Sequence, residues 1–300
     1  MFINLSLIFK ININTDAVNT FAITSSDIIS ISSDKSIIIF DKKLTIIQKI
    51  ENAHNGTIFD ISLKDENNFA TCSEDKSIKT WKKSEKYNYL LNKSILNIHN
   101  NDIHKILFLE DDTIISGSKD GKIKILNLRN DIYQCNIFLD HQAPIYSLLY
   151  FKEENLLIST GTKHTIFWNL SNLLNAMITK INARCFGKNA FQKLDEERIV
   201  VGGGQKIQII SVKEKKIIKE IESEFLVWAI CVINDKNLFI CGGVSKNIAI
   251  FNSDNYEIVN TIKNCHDGNI RGISLLNDEM IISGSEDKKA KIWEISSSQG

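Results

Sequence analysis

The stretch CSEDKSIKTW, Cys72 to Trp81, returns as GSEDKKAKIW, Gly284 to Trp293, joining a small position, an acidic turn and alternating apolar residues that end in tryptophan. Looser copies fill the chain. They read SSDKSIIIFD (Ser32 to Asp41), GSKDGKIKIL (Gly117 to Leu126), TGTKHTIFW (Thr160 to Trp168), GGGQKIQII (Gly202 to Ile210) and GGVSKNIAIF (Gly242 to Phe251). Taking the last aromatic or aliphatic residue as anchor gives Phe40, Trp81, Leu126, Trp168, Ile210, Phe251 and Trp293, spaced 41, 45, 42, 42, 41 and 42 residues apart. So regular a period describes one array of similar units.

Within each unit, apolar residues alternate with period two in runs rich in Ile, Phe, Val and Thr, the pattern of half-buried strands. The unit ending at Trp81 shows four of them, Ile58 to Lys64, Asn68 to Ser73, Ser77 to Lys82 and Tyr87 to Ile95, with turns such as Glu74-Asp75-Lys76 where Asp can bond its own backbone. Four short antiparallel strands per period make a propeller blade, so the expected fold is all-β, a seven-bladed β-propeller. Blade seven is left with three strands, because only Trp293 to Ser298 follows its anchor, while Phe2 to Phe9 alternates ahead of blade one. The N-terminal residues 2–9 are therefore expected to close the last blade, with 1–300 forming a single domain.

Composition narrows the function. Among 300 residues, 43% are hydrophobic, 36 Lys and Arg balance 36 Asp and Glu, and one is proline, Pro144, which excludes disordered and collagen-like chains. A neutral chain has no global attraction for nucleic acid or anionic lipid, so neither is an expected partner. Six cysteines without a CxxC pair argue against a disulfide framework and against zinc. Sequons at Asn4, Asn55, Asn92 and Asn169 carry little weight in so Asn-rich a chain. The apolar start lacks a basic region and a cleavage site, so a cytoplasmic or nuclear, non-secreted protein without membrane insertion is expected.

A histidine lies 27 residues before the anchor in four units: His54 before Trp81, His99 before Leu126, His141 before Trp168 and His266 before Trp293. With that offset the sequence resembles the WD40 repeat family over essentially its full length. The resemblance implies that this His, the Asp of the turn, a Ser or Thr of the second strand and the Trp form a buried hydrogen-bonded chain. Such linkage satisfies groups that are each costly to bury alone. The full set is His54, Asp75, Ser73 or Thr71 and Trp81 in blade two, and His266, Asp287, Ser285 or Ser283 and Trp293 in blade seven. Ser73 and Ser285 are the first choices. Blade one has Asp34 but Ile13 at the His position, blade three has Leu126 for Trp, blade four has Thr162 for Asp, and blades five and six keep neither His nor Asp.

Ser, His and Asp within one repeat invite a catalytic reading. A constellation that recurs at fixed spacing under a tryptophan is better explained as structure, because a nucleophile needs exposure and an oxyanion hole. Gly202-Gly203-Gly204 precedes a strand and so is no phosphate loop. A sialidase-like enzyme would need an arginine cluster, and only Arg129, Arg184, Arg198 and Arg271 exist. Strand alternation places Trp228 between blades as core. No catalytic residue, metal ligand or cofactor is expected.

Partners should meet the rim built by loops entering each inner strand. Counting 22 residues back from each anchor reaches Val18, Phe59, His104, Tyr146, Lys188, Ala229 and Arg271, with Thr57, Asp102, Pro144 and Asn269 two positions earlier and Glu74, Lys119 and Glu286 in the facing turns. Phe59, His104, Tyr146, Lys188, Arg271, Glu74 and Lys119 are the candidate contacts; the aromatics would equally serve to plug the channel. These readings converge on a non-catalytic, monomeric WD40-like scaffold or adaptor for proteins or peptides in a multiprotein complex. A propeller enzyme or glycan-binding module, and a subunit of an RNA-associated complex, are the alternatives.

Overall fold

The computed structural model describes residues 2–12, 15–43, 45–85, 88–129 and 135–298. Seven antiparallel four-stranded sheets form the blades of a β-propeller. Two short 3-10 turns, Leu173–Asn175 and Asn234–Lys236, are the helical segments among the described residues. Blade two is built from Ile58–Asp65, Asn68–Ser73, Ile78–Lys83 and Tyr89–Ile95, in that order across the sheet. Blades one and three to six repeat this meander. In blade seven the chain supplies Ile270–Asn277, Met280–Ser285 and Lys289–Ser298, and the fourth place is taken by Phe2–Asn12, antiparallel to Lys289–Ser298. The pairing is longer than the alternating stretch of sequence predicts, running from Phe2 opposite Ser298 to Asn12 opposite Lys289.

The blades divide into two compact units, Ala22–Asn182 and Met1–Phe21 with Ala183–Gly300, and each has its own apolar clusters. In the first unit Ile29, Ile31, Ile37 and Ile39 of blade one pack against Ile58, Phe69, Trp81 and Tyr89 of blade two. Ile103, Ile106 and Leu126 of blade three pack on Ala70, Cys72 and Ile78 of blade two, and Ile115 and Ile123 pack on Leu148, Ile166 and Trp168 of blade four. In the second unit Ile240, Ile248 and Ile250 of blade six meet Ile270, Ile281 and Trp293 of blade seven. Each such Ile, Leu or Phe side chain is removed from water and contributes about 2 kcal/mol. Strand alternation thus sends one face of every blade to each neighbour, while the fourth strands stay largely exposed, as in Ile46–Ile50 and Lys216–Glu222. The Ile-rich strand Ile37–Asp41, an aggregation hazard if bare, is buried at its first four residues.

The turn SEDKS owes its shape to side-chain bonds. In blade two Ser73 Oγ accepts from Asp75 N–H at 3.1 Å, Asp75 Oδ1 accepts from Ser77 N–H at 3.0 Å, and Lys76 takes a left-handed φ of 65°. Blades three and seven repeat it with Ser118, Asp120 and Gly121, and with Ser285, Asp287 and Lys288. This holds the carboxylate pointing back toward the histidine.

Candidate functional site

Three polar chains lie under the loops that lead into the first strands. In blade two the Trp81 indole N–H donates to Thr71 Oγ1 at 2.9 Å, Thr71 lies 2.8 Å from His54 Nε2, and His54 Nδ1 reaches Asp75 Oδ2 at 3.1 Å. Each group donates once if the Thr71 hydroxyl gives its proton to Nε2 and Nδ1–H faces the carboxylate. Asp75 Oδ2 also accepts from Asn55 N–H at 2.8 Å, tying down the residue after the histidine. Blade seven repeats the chain through Trp293, Ser283, His266 and Asp287, with Asp267 N–H on the carboxylate. Blade three has Ser116, His99 and Asp120, and Leu126 fills the tryptophan's place with apolar contact.

The bridging hydroxyl is therefore Thr71, not Ser73, and Ser283, not Ser285. Two positions separate the candidates in each pair, so both face the same side of the strand and alternation cannot choose. Ser73 and Ser285 spend their oxygens on the turn, accepting from Asp75 and Asp287 N–H. Ile13, opposite Asp34 in the blade-one pattern, lies outside the described residues.

Burial works to raise the Asp75 carboxyl, but His54, Ser77 and Asn55 N–H together hold it well below the carboxylate range. Asp120 is held down in the same way against its burial, and Asp287, opposed by burial and carried by His266, sits at about 2. His54 is lowered by burial over the opposing pull of Asp75. His54, Thr71 and Trp81 are all buried, so these Ser/Thr-His-Asp sets carry no nucleophile at a surface. A second device was not read from the sequence. Lys79, Lys124 and Lys291, each two residues before the anchor, send Nζ to the carbonyl of the residue before the histidine, Ala53, Ile98 and Cys265. The recurring Lys in IKTW, IKIL and AKIW is the signal that would have shown it.

Blade four departs from this plan. Trp168 N–H still donates to Ser159 Oγ at 2.7 Å. Thr162 replaces the carboxylate, Ile166 replaces the lysine, and His141 stacks on His164 with ring centroids 4.7 Å apart and planes at 24°. His164 Nε2–H donates to His141 O at 2.8 Å, and among the described residues neither ring nitrogen of His141 has a hydrogen-bond partner. Burial and then the neighbouring His164 push His141 down to about 4, and burial lowers His164 as well.

At the rim, β-bulges re-aim single side chains out of the pleat. They fall at Phe59, His104 and Tyr146 in the first unit and at Trp228 and Arg271 in the second. In the first unit the rings form a ladder. Phe59 meets His104 edge-on at 5.2 Å, and His104 meets Tyr146 at 4.9 Å. His104 Nδ1–H donates to Ile145 O at 3.0 Å, which fixes the middle ring. The facing turns join as placed by the count: Glu74 N–H to Thr57 O and Lys119 N–H to Asp102 O, both at 3.0 Å. Glu74 Oε2 also accepts from Thr57 N–H, and Lys119 Nζ lies 3.6 Å from Asp102 Oδ2.

In the second unit the count slips. Trp228, not Ala229, occupies the bulge, and Ala229 is wholly buried. The 3-10 turn Asn234–Lys236 adds a residue to the first hairpin of blade six, so the fixed offset stops one residue short. Trp228 is accordingly no core residue: it is half-buried and carries the Arg271 guanidinium 4.9 Å above its ring. In blade five Asn189, not Lys188, precedes the residue opposite Gly202, and its amide donates to Asn19 O at 3.1 Å and Arg271 O at 3.0 Å. Val18 is buried against Gly284, where any Cβ would come within 2.7 Å of it. Arg271 itself forms two hydrogen bonds to Glu286 Oε1, and Glu286 Oε2 accepts from Asn269 at 2.8 Å. Its charge is already met within the protein.

Segments 45–82, 92–127 and 257–294 match the family model "WD domain, G-beta repeat". The chain carries WD40 repeats. These three matches take in the three blades with a His–Asp pair, His54 with Asp75, His99 with Asp120 and His266 with Asp287. No curated protein matches the chain. WD40 propellers generally act as protein-interaction scaffolds. Among the described residues no group of three or more His, Cys, Asp or Glu side chains is placed to hold a metal, and no helix is long and apolar enough to cross a membrane. Cys72, Cys185, Cys231, Cys241 and Cys265 are buried free thiols, and burial pushes Cys231 up to about 12.

Proposed function

We propose that this WD40-repeat chain is a non-catalytic scaffold or adaptor, one monomeric propeller domain of the cytoplasm or nucleus that binds protein segments within a larger complex. The observation that carries this reading is the ladder Phe59–His104–Tyr146. Two half-buried aromatics flank a buried imidazole that is bonded to the backbone, so a partner would meet rings that need little ordering. Large aromatics in such settings are the residue types that dominate interface energy. Glu74 and the Lys119–Asp102 pair flank the ladder with both signs of charge, which would set the orientation of a bound segment.

The test is affinity purification with mass spectrometry of the wild type and the Phe59→Ala/Tyr146→Ala variant, alongside melting curves. Loss of the wild type's partners at an unchanged melting temperature supports the assignment. Recovery of the same partners at wild-type yield refutes it.

A further inference from the structure

We propose that the His141–His164 stack is a proton-operated catch on the loop His141 to Tyr146, so that mild acidification loosens the segment presenting Pro144 and Tyr146. The loop movement is a property of blade four alone; its consequence for partner binding rests on the rim reading above.

Three features of the geometry point to it. His141 is fully buried, yet neither nitrogen makes a well-formed hydrogen bond among the described residues, only loose approaches to the backbone of Ser159 and Ala143 that oppose the effect of burial, unlike His54, His99 and His266 with their carboxylates. Its stacking partner is a second imidazole, where the intact blades supply a carboxylate. In this loop His141 N–H donates to Gly121 O at 2.9 Å and His164 Nε2–H to His141 O at 2.8 Å, and Gln142 N–H is taken by the exposed Asp140 Oδ1 at 3.0 Å, whereas the turn carboxylate that pairs with the histidine secures Asn55, Asn100 and Asp267.

The surrounding charges do not favour a proton in place. Lys163 precedes His164 on the turn, and Lys180 on the outer strand Met177–Ile181 acts on both rings. Asp140, the carboxylate beside His141 in the chain, is half-exposed and paired with Lys122 of blade three at 2.8 Å. Two charged imidazoles 4.7 Å apart would repel each other without a buried counter-ion. Between pH 4 and its ordinary range the ring gains its proton by leaving the site.

The direction follows from linkage. His141 titrates at about 4 when buried and near its ordinary 6.5 when released, so the released loop binds more protons across that interval. Closure is fully favoured above the upper value and is lost as pH falls through the interval. For one linked proton the released fraction should rise about sevenfold between pH 6 and pH 5. A Cβ on Gly161 would fall 1.9 Å from Pro144 O, so this glycine lets the turn and the loop lie in contact.

The experiment is hydrogen–deuterium exchange on the partner-free full chain at pH 7, 6 and 5, corrected for intrinsic rates, comparing peptides over 141–150 with their blade-two counterparts over 54–62. The expected result is an acid-driven loss of protection in blade four, about sevenfold from pH 6 to pH 5, and a smaller change in blade two. His141→Phe should flatten the response while filling the same space, and Thr162→Asp should reduce it by supplying a counter-ion. Equal pH responses in the two blades, or an undiminished response in both variants, would overturn the catch. Because no partner is present, this outcome is separate from the fate of the rim variant, whose failure would leave the exchange result standing.

Discussion

Blades two and four place a histidine at the same offset, under a tryptophan bonded to a hydroxyl, and treat it in opposite ways. His54 is one link in a chain from Trp81 to Asp75, whereas His141 is buried beside another imidazole and bonded through neither nitrogen among the described residues. A buried ring with all its bonds made holds a loop in place; one with none relies on its packing. Residue type at a repeat position therefore does not define its role. The carboxylate six residues before the anchor decides it.

The largest expected effect tests whether the anchor depends on the chain. Trp81→Ala and Trp168→Ala should each cost about 3 to 5 kcal/mol in urea unfolding, because both indoles are buried cores and both keep a hydroxyl partner. A much smaller loss in blade four would show that the tryptophan matters only within the full set.

Next comes the histidine itself. His54→Leu strands Thr71 and the Asp75 carboxylate and should cost about 2 kcal/mol, while His141→Leu has no hydrogen bond to break and should stay within about 1 kcal/mol of wild type. Equal losses would erase the distinction between the blades.

Stability against pH sharpens it further. Between roughly 6.5 and 4 the wild type should lose stability as protons favour the unfolded His141, and His141→Leu should remove much of that slope. A separate fall should begin below about 4, because Asp75, Asp120 and Asp287 have native values below their unfolded ones and their contribution disappears as they are protonated. Unfolding free energies measured from pH 7 to pH 3 would separate the two phases, and a single fall confined to pH below 4 would contradict the first. The smallest effect is at the rim, where Tyr146→Ala should change stability by under about 1 kcal/mol, as befits a half-buried side chain outside the apolar clusters.

Much of this was legible in the sequence because period-two burial and a fixed repeat length leave few alternatives. The seven blades and the place of the first strand follow from anchors and alternation. The polar chains were legible down to the choice of hydroxyl, which failed at Thr71 and Ser283 because two residues on one strand face look alike until the turn claims one of them. At the rim a count from the anchor found Phe59, His104, Tyr146 and Arg271, but it assumed equal hairpins. One added residue in blade six moved Trp228 onto the bulge. That Arg271 lies across Trp228 and is neutralised by Glu286 depends on contacts between residues of different blades and turns, which no local pattern encodes.

The pairing of Phe2–Asn12 with Lys289–Ser298 sets a timetable for biogenesis. Of these two strands Phe2–Asn12 is made first and its permanent neighbour far later, so in the interval it offers unsatisfied amides and carbonyls to whatever strand comes by. Loop-closure entropy across nearly the whole chain makes that late union slow. Protection of the nascent Phe2–Asn12 strand therefore matters most in the interval before Lys289–Ser298 emerges.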